Sequence, residues 1–112
     1  MKKFLVTYHT PASIYEKMRN ETPEKKQKRK QTWMNWAQEN RSNLEDFGTP
    51  LVQGKTLSNK GVSPSNIELS GYFIFQAESI NEAVELLQNH PHLFSDETCT
   101  LEIHEIMQMP EM

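Results

Sequence analysis

The sequence predicts a single α+β domain with the element order β-α-β-β-α-β. Three observations carry this. Segments rich in β-branched and aromatic residues open and close the chain, and a third, Gly71-Tyr72-Phe73-Ile74-Phe75-Gln76-Ala77, is apolar on both faces, as a central strand must be. Two helix-start signals, Thr22-Pro23 and Ser79-Ile80-Asn81-Glu82, precede apolar residues at helical spacing. Clusters of Gly, Pro, Asn and Ser separate these segments.

Phe4-Leu5-Val6-Thr7-Tyr8 reads as the first strand and stops before Thr10-Pro11. Ser13-Ile14-Tyr15-Glu16 has capping-box spacing, so a short helical turn is expected there. Thr22 then supplies an N-cap and Pro23 a first helical residue whose missing N–H costs nothing. With no further proline until Pro50, the helix is expected to be long. Trp33, Trp36, Ala37, Leu44 and Phe47 form its apolar stripe, and Gly48-Thr49-Pro50 ends it. Leu51 to Leu57 is expected to be the second strand, with Gly54 marking a bulge or close backbone approach. Ser58 to Ser70 reads as a loop that can hold a short hairpin. Ile80, Ala83, Val84, Leu86 and Leu87 lie on one side of a second core helix that must stop near His90-Pro91. The last strand, Thr100 to Met109, puts Leu101 and Ile103 on one face and Glu102, His104 and Ile106 on the other.

That order is the split βαβ, or ferredoxin-like, arrangement: right-handed crossovers place both helices on one face of a four-stranded antiparallel sheet. The opposite face is left bare and partly apolar, and the simplest cover is the same face of a second copy. A homodimer is therefore expected, its two sheets closing into a barrel-like interior able to hold a small molecule.

Composition narrows the function classes. A chain of 112 residues and 13.1 kDa supports one core, so residues 1–112 are read as one domain. Net charge is −3 and the pI about 5.8, which gives no global field to attract nucleic acid or an anionic membrane. The Lys25-Lys26-Lys28-Arg29-Lys30 run has no interleaved aromatics and is flanked by acids, so it is read as a solvated helix face rather than an anion-binding patch. Cys99 is the sole cysteine, which excludes an internal disulfide and suggests a reducing compartment. The apolar run after Met1-Lys2-Lys3 is too short for a secretory signal or a membrane span, so a cytoplasmic, soluble protein is expected.

The whole chain resembles the YCII-related, or DGPF-type, proteins of the dimeric α/β-barrel superfamily. The residues that carry the resemblance are the opening strand, Trp33-x-x-Trp36, Asp46-Phe47-Gly48-Thr49-Pro50-Leu51, Gly71-Tyr72 with Gln76-Ala77-Glu78-Ser79, Asn89-His90-Pro91-His92-Leu93, Leu101-Glu102-Ile103-His104-Glu105, and the Met109-Pro110-Glu111-Met112 ending. The His-Pro-His-Leu and Glu-Ile-His-Glu blocks look most like a bacterial branch, and the literal Asp-Gly-Pro-Phe motif is absent. The resemblance implies a homodimer with a pocket near the dimer interface. Relatives in the wider superfamily include lactone isomerases, dehalogenases and cofactor-free monooxygenases, so it implies no cofactor and leaves the reaction open.

Candidate site residues follow from residue type and placement. His104 and Glu102 are expected on one face two residues apart, as a general base oriented by an acid or as a structural pair. His90, before proline at a helix end, is either a cap, favoured there as a cation or bonding a terminal carbonyl, or a catalytic or ligand-binding group. His104, His90 and Glu102 are the catalytic candidates, and Tyr72, His92 and Trp36 the ligand-binding ones. Tyr72 stands beside a glycine that permits close approach, and the two tryptophans serve core packing or ring stacking. His90, His92, His104 and Glu102 include metal-ligating types, but the HExxH spacing is missing and no metal site is predicted. Cys99 has no basic neighbours and is read as inert. Three functions fit: a small cofactor-independent enzyme doing proton-transfer chemistry on a small molecule, a non-catalytic ligand-binding or regulatory homodimer, or a structural module whose open sheet face binds only its twin.

Overall fold

Alternation along Leu69–Ala77 organises the molecule: Gly71, Phe73, Phe75 and Ala77 are buried, while Tyr72, Ile74 and Gln76 between them are half-buried. A computed structural model describes residues 1–109, so Pro110, Glu111 and Met112 of the carboxyl-terminal motif lie outside the described residues. The elements are β1 (Lys2–His9), α1 (Ala12–Arg19), α2 (Pro23–Glu39), β2 (Leu44–Pro50), β3 (Lys55–Ser58), β4 (Gly61–Pro64), β5 (Leu69–Ala77), α3 (Ile80–Leu87) and β6 (Thr100–Glu105). Strand order is β2-β5-β1-β6 with antiparallel neighbours, and β3 and β4 pair in a separate hairpin. β1 and β2 are thus parallel with β5 between them, joined by the α1–α2 segment, and α3 joins β5 to β6. This is the ferredoxin-like fold from which dimeric α/β barrels are built, as the sequence predicts.

The core lies between the sheet and one layer of helices. Phe4 and Val6 of β1 and Phe73, Phe75 and Ala77 of β5 pack with Trp36 and Ala37 of α2 and with Ala83 and Leu87 of α3. Trp36 meets Phe73 edge-on at 5.7 Å between centroids, and Phe73 meets Phe75 the same way at 6.2 Å, the geometry ring quadrupoles favour. Each fully buried Phe contributes roughly 1.5–3 kcal/mol of hydrophobic stabilisation. Leu101 and Ile103 of β6 join the core, so Glu102 and His104 point to the opposite face, as expected. No helix layer covers that face. The molecule is only 20 Å thick, and its 15.7 Å radius of gyration exceeds the ~13 Å typical of a chain this long. Every residue of the β3–β4 hairpin is exposed.

Several local expectations are corrected. The second helix ends at Glu39, not near Gly48. Asn40 caps it, with both its backbone N–H and its side-chain amide donating to the Trp36 carbonyl, at 3.0 and 2.9 Å. A 3₁₀ turn at Arg41–Asn43 follows, and the Asn43 amide donates to the Gln76 carbonyl, fixing the turn to β5. Leu44 and Phe47 therefore lie on β2, and the predicted second strand at 51–57 is replaced by a loop and the first arm of the hairpin. The helical spacing of those two residues is coincidental, because polar Asn40-Arg41-Ser42-Asn43 interrupts the stripe and satisfies the helix end. Gly48 sits in β2 at φ +68°, where a Cβ would stand 1.6 Å from the Tyr72 carbonyl oxygen. Ser13 does not cap α1, which begins one residue earlier behind Pro11. Ser79 does cap α3, accepting from Glu82 N–H at 3.1 Å, but the Glu82 carboxylate reaches back to the Glu78 N–H. Only Ala83 and Leu87 of α3 are buried, so its apolar stripe is narrower than predicted. β6 closes at Glu105, four residues before the expected end.

Candidate functional site

β1 ends beneath α2 and carries Tyr8 on the helix-covered face, in register with Gly71 of β5 and Leu101 of β6. Because Gly71 has no side chain, the Tyr8 ring has room there: a Cβ on Gly71 would stand 3.0 Å from it. The ring is 5.4 Å from Phe73 and nearly edge-on to His92 at 5.1 Å. Its hydroxyl is the hub of a polar cluster. Trp33 Nε1 donates to it at 2.9 Å and His90 Nε2 lies 3.0 Å away.

The proton positions in this cluster follow from donor chemistry. His90 is completely buried, its ring 4.2 Å from that of Trp36 and stacked on Phe73 at 5.5 Å. Burial, with a smaller contribution from His92, pushes its pKa down to about 3, so the ring is neutral near pH 7. Its Nδ1 accepts the His92 backbone N–H at 3.0 Å and so carries no proton. The single ring proton is then on Nε2, which donates to Tyr8. The Tyr8 oxygen thus receives two N–H donors, and its own O–H has no acceptor among the described hydrogen bonds. Burial raises the Tyr8 pKa to about 12, against the acidifying Trp33 bond, so at neutral pH the hydroxyl keeps its proton.

Tyr8 also forms part of the wall of two joined cavities. The smaller, about 390 Å³, lies between α2 and the β2–β5 end of the sheet, against Trp33, Phe47, Gly48, Thr49, Pro50, Gly71 and Tyr72. The larger, about 810 Å³, runs toward α1 and the Pro91–Phe94 turn, and His92 lines it. Tyr8, Arg29, Trp33, Pro50 and Ser70 border both, so the two read as lobes of one cleft. Volumes of this order suit small molecules. Lys26, Arg29 and Lys30 line the small lobe, and Lys25, Lys28 and Arg29 the large one. The basic run is therefore not simply a solvated face: its side chains rim the cleft.

The predicted site residues divide between the two faces of the sheet. His90 and His92 belong to the Tyr8 cluster, and Tyr72 lines the small lobe. Trp36 is a core residue against His90 and lines a different, polar groove between α2 and α3. His104 and Glu102 form a loose pair, Nε2 to Oε1 3.5 Å, on the open face, with side chains 69% and 57% exposed. His90 and His92 are therefore not brought together with His104 and Glu102. The expectation that His90 is a cation at the end of a helix is overturned. The ring faces the core, is neutral, and caps the following 3₁₀ turn through Nδ1. His92 is also held below its ordinary pKa by burial, partly offset by the backbone of His9 and Thr100, and its Nε2 lies 3.1 Å from the His9 carbonyl oxygen. Cys99 is buried and its thiol pKa is raised by that burial, in keeping with an inert residue. Tyr8, Trp33 and the α2 cations were not among the sequence candidates. A tyrosine at a strand end and lysines on a helix are common, and only the fold places them around one cavity.

Among the described residues, no helix is long and apolar enough to cross a membrane. No protein-family model matches the chain, and no curated protein matches it. Among solved structures, the chain is similar to 5-chloro-2-hydroxyhydroquinone dehydrochlorinase from Burkholderia phenoliruptrix in complex with 2,5-dihydroxybenzoquinone. The TM-score is 0.50 and the identity 16%, over 89% of this chain and 90% of that one. At that identity the likeness shows the shared fold.

Proposed function

We propose that the cleft binds a small oxygen-bearing molecule and that Tyr8 acts on it as hydrogen-bond donor and general acid, without a cofactor. One observation carries this reading: two N–H groups already occupy the Tyr8 oxygen, leaving its O–H for a ligand. When that proton passes to an oxygen of the ligand, the tyrosinate left behind is met by two N–H donors that need no rearrangement and that offset part of the cost of forming the charge in a buried place. His90 is then a positioning residue, since its ring is out of the cleft and its tautomer orients the hydroxyl. His92, neutral and on the wall of the large lobe, is the candidate base. The resemblance to YCII-related proteins supports this, as does the shared fold with a dehydrochlorinase that binds a hydroxylated quinone. We also infer that the open face is covered by a second copy. Leu5 and Ile74 lie on it in register with His104 and Asp46, giving the face an apolar centre.

A thermal-shift screen of hydroxylated and enolisable compounds finds the ligand, because selective binding to the native state raises apparent stability. Turnover of the hits is then followed by NMR. Tyr8→Phe is expected to lower kcat by about 10²-fold or more with little change in ligand Kd. Unchanged turnover would remove Tyr8 from the chemistry. Hits that stay intact with every compound favour the binding or regulatory homodimer instead. A second reading rests on the Glu102–His104 pair: enclosed by the partner's sheet, the two would form a base and its orienting acid. His104→Ala abolishing turnover while Tyr8→Phe does not would select it.

A further inference from the structure

Five cations fall within six positions of α2, Lys25, Lys26, Lys28, Arg29 and Lys30, and all five line the cleft. Among the described residues, no aspartate or glutamate lines either lobe. Arg29 is paired with Glu21, but Lys26 and Lys30 have no salt-bridge partner among the described residues. These two lysines stand one turn apart, and like charges at that spacing destabilise a helix by about 0.2–0.5 kcal/mol. Trp33 follows three residues after Lys30 and lines the same lobe. The small lobe therefore has rings for walls (Trp33, Phe47, Tyr8) and uncompensated positive charge at its rim. Low-dielectric walls concentrate that field in the opening.

We infer that the ligand of this cleft is a flat, ring-bearing organic anion, its ring against Trp33 and Phe47 and its carboxylate or equivalent oxyanion facing Lys26 and Lys30. The inference rests on the proposed ligand-binding role of the cleft and adds the chemical class it selects. The two lysines are specificity determinants: they discriminate anion from neutral isostere, while Tyr8 takes another oxygen of the same ligand.

The test is calorimetric titration of the purified protein with 4-hydroxybenzoate and with 4-hydroxybenzamide, neutral but nearly the same shape, at low and at 0.5 M salt. The anion is expected to bind about tenfold tighter at low salt, since two exposed cations contribute roughly 0.7 kcal/mol each, and the advantage is expected to shrink at high salt. The double variant Lys26→Gln/Lys30→Gln is expected to lose the preference and keep the amide affinity. Both changes are at exposed positions, so folding, checked by circular dichroism, is retained. Equal affinity for the two compounds, a preference that survives the double variant, or binding of neither overturns the inference. Tyr8→Phe separates it from the reading above. If that variant turns over the hits of the thermal-shift screen as the native protein does, the general-acid role of Tyr8 fails, while the preference for 4-hydroxybenzoate over the amide still stands.

Discussion

Lowering the pH below 6.5 should destabilise the protein through His90, by an amount set by its burial. The folded ring has a pKa of about 3 and the unfolded chain offers it the ordinary 6.5. Between those values the unfolded state binds one more proton than the native state. Stability is therefore complete above pH 6.5, falls by about 1.4 kcal/mol for each pH unit below it, and levels off below pH 3. At pH 4.5 the loss from this residue is about 2.7 kcal/mol, a large share of the 5–15 kcal/mol that holds a small domain folded. Urea unfolding from pH 7.5 to 4 measures the slope, with His90→Asn as reference. The asparagine side-chain oxygen can accept the His92 N–H as Nδ1 does, but it does not titrate. His92 and the carboxylates titrate in both proteins, so the difference in slope belongs to position 90. A difference under about 0.3 kcal/mol per pH unit would refute the neutral, buried imidazole and with it the proton assignment around Tyr8. Should the variant fail to fold, nitrogen-15 NMR of the native protein decides the same point: the ring must show a protonated Nε2 and remain neutral at pH 4.5.

Tyr8→Phe leaves the Trp33 and His90 N–H groups without their acceptor, at about 1–2 kcal/mol each, so urea unfolding should show a loss of roughly 2–4 kcal/mol. In a Trp33→Phe background part of that loss should vanish; strict additivity would deny the shared hydroxyl. Gly48→Ala must move the Tyr72 carbonyl and hold alanine at positive φ, costing more than about 3 kcal/mol in urea, whereas Gly61→Ala meets no atom within 4 Å and should cost less. Ile74→Glu, at the centre of the open face, should halve the mass measured by light scattering from twice 13.1 kDa to one chain, with circular dichroism unchanged; a native monomer would sink the dimer proposal.

The fold was legible where the physics is local. Thr22 and Ser79 cap the helices the sequence assigns to them, and the aromatic, two-faced apolar run Gly71–Ala77 marks the central strand, because N-caps and strand propensity act within a few residues. The boundary between α2 and β2 was hidden. Leu44 and Phe47 continue the helical spacing by chance, and the helix stops because the Asn40 side chain satisfies its end and Asn43 bonds to β5, a contact 33 residues away. Gly48 looked like a helix stop. Its real constraint is a neighbouring strand's carbonyl, which no local pattern reveals.

The site was legible in His90, His92 and Tyr72, while His104 and Glu102 lie on the face away from the cleft. His90 shows why residue type misleads here. Histidine suggests a group that titrates near neutrality, yet complete burial against Trp36 and Phe73 removes that property and converts the ring into a fixed donor. The signal that was present lay in the basic run. Charges on a solvated helix are ordinarily matched by acids three or four residues away, and the position four residues from Lys26 on either side holds Thr22 or Lys30. A helix that carries such repulsion unrelieved by its own side chains leaves room for negative charge from outside the chain. The cleft beneath those lysines, walled by aromatic rings and lined by no acid among the described residues, is where that charge fits.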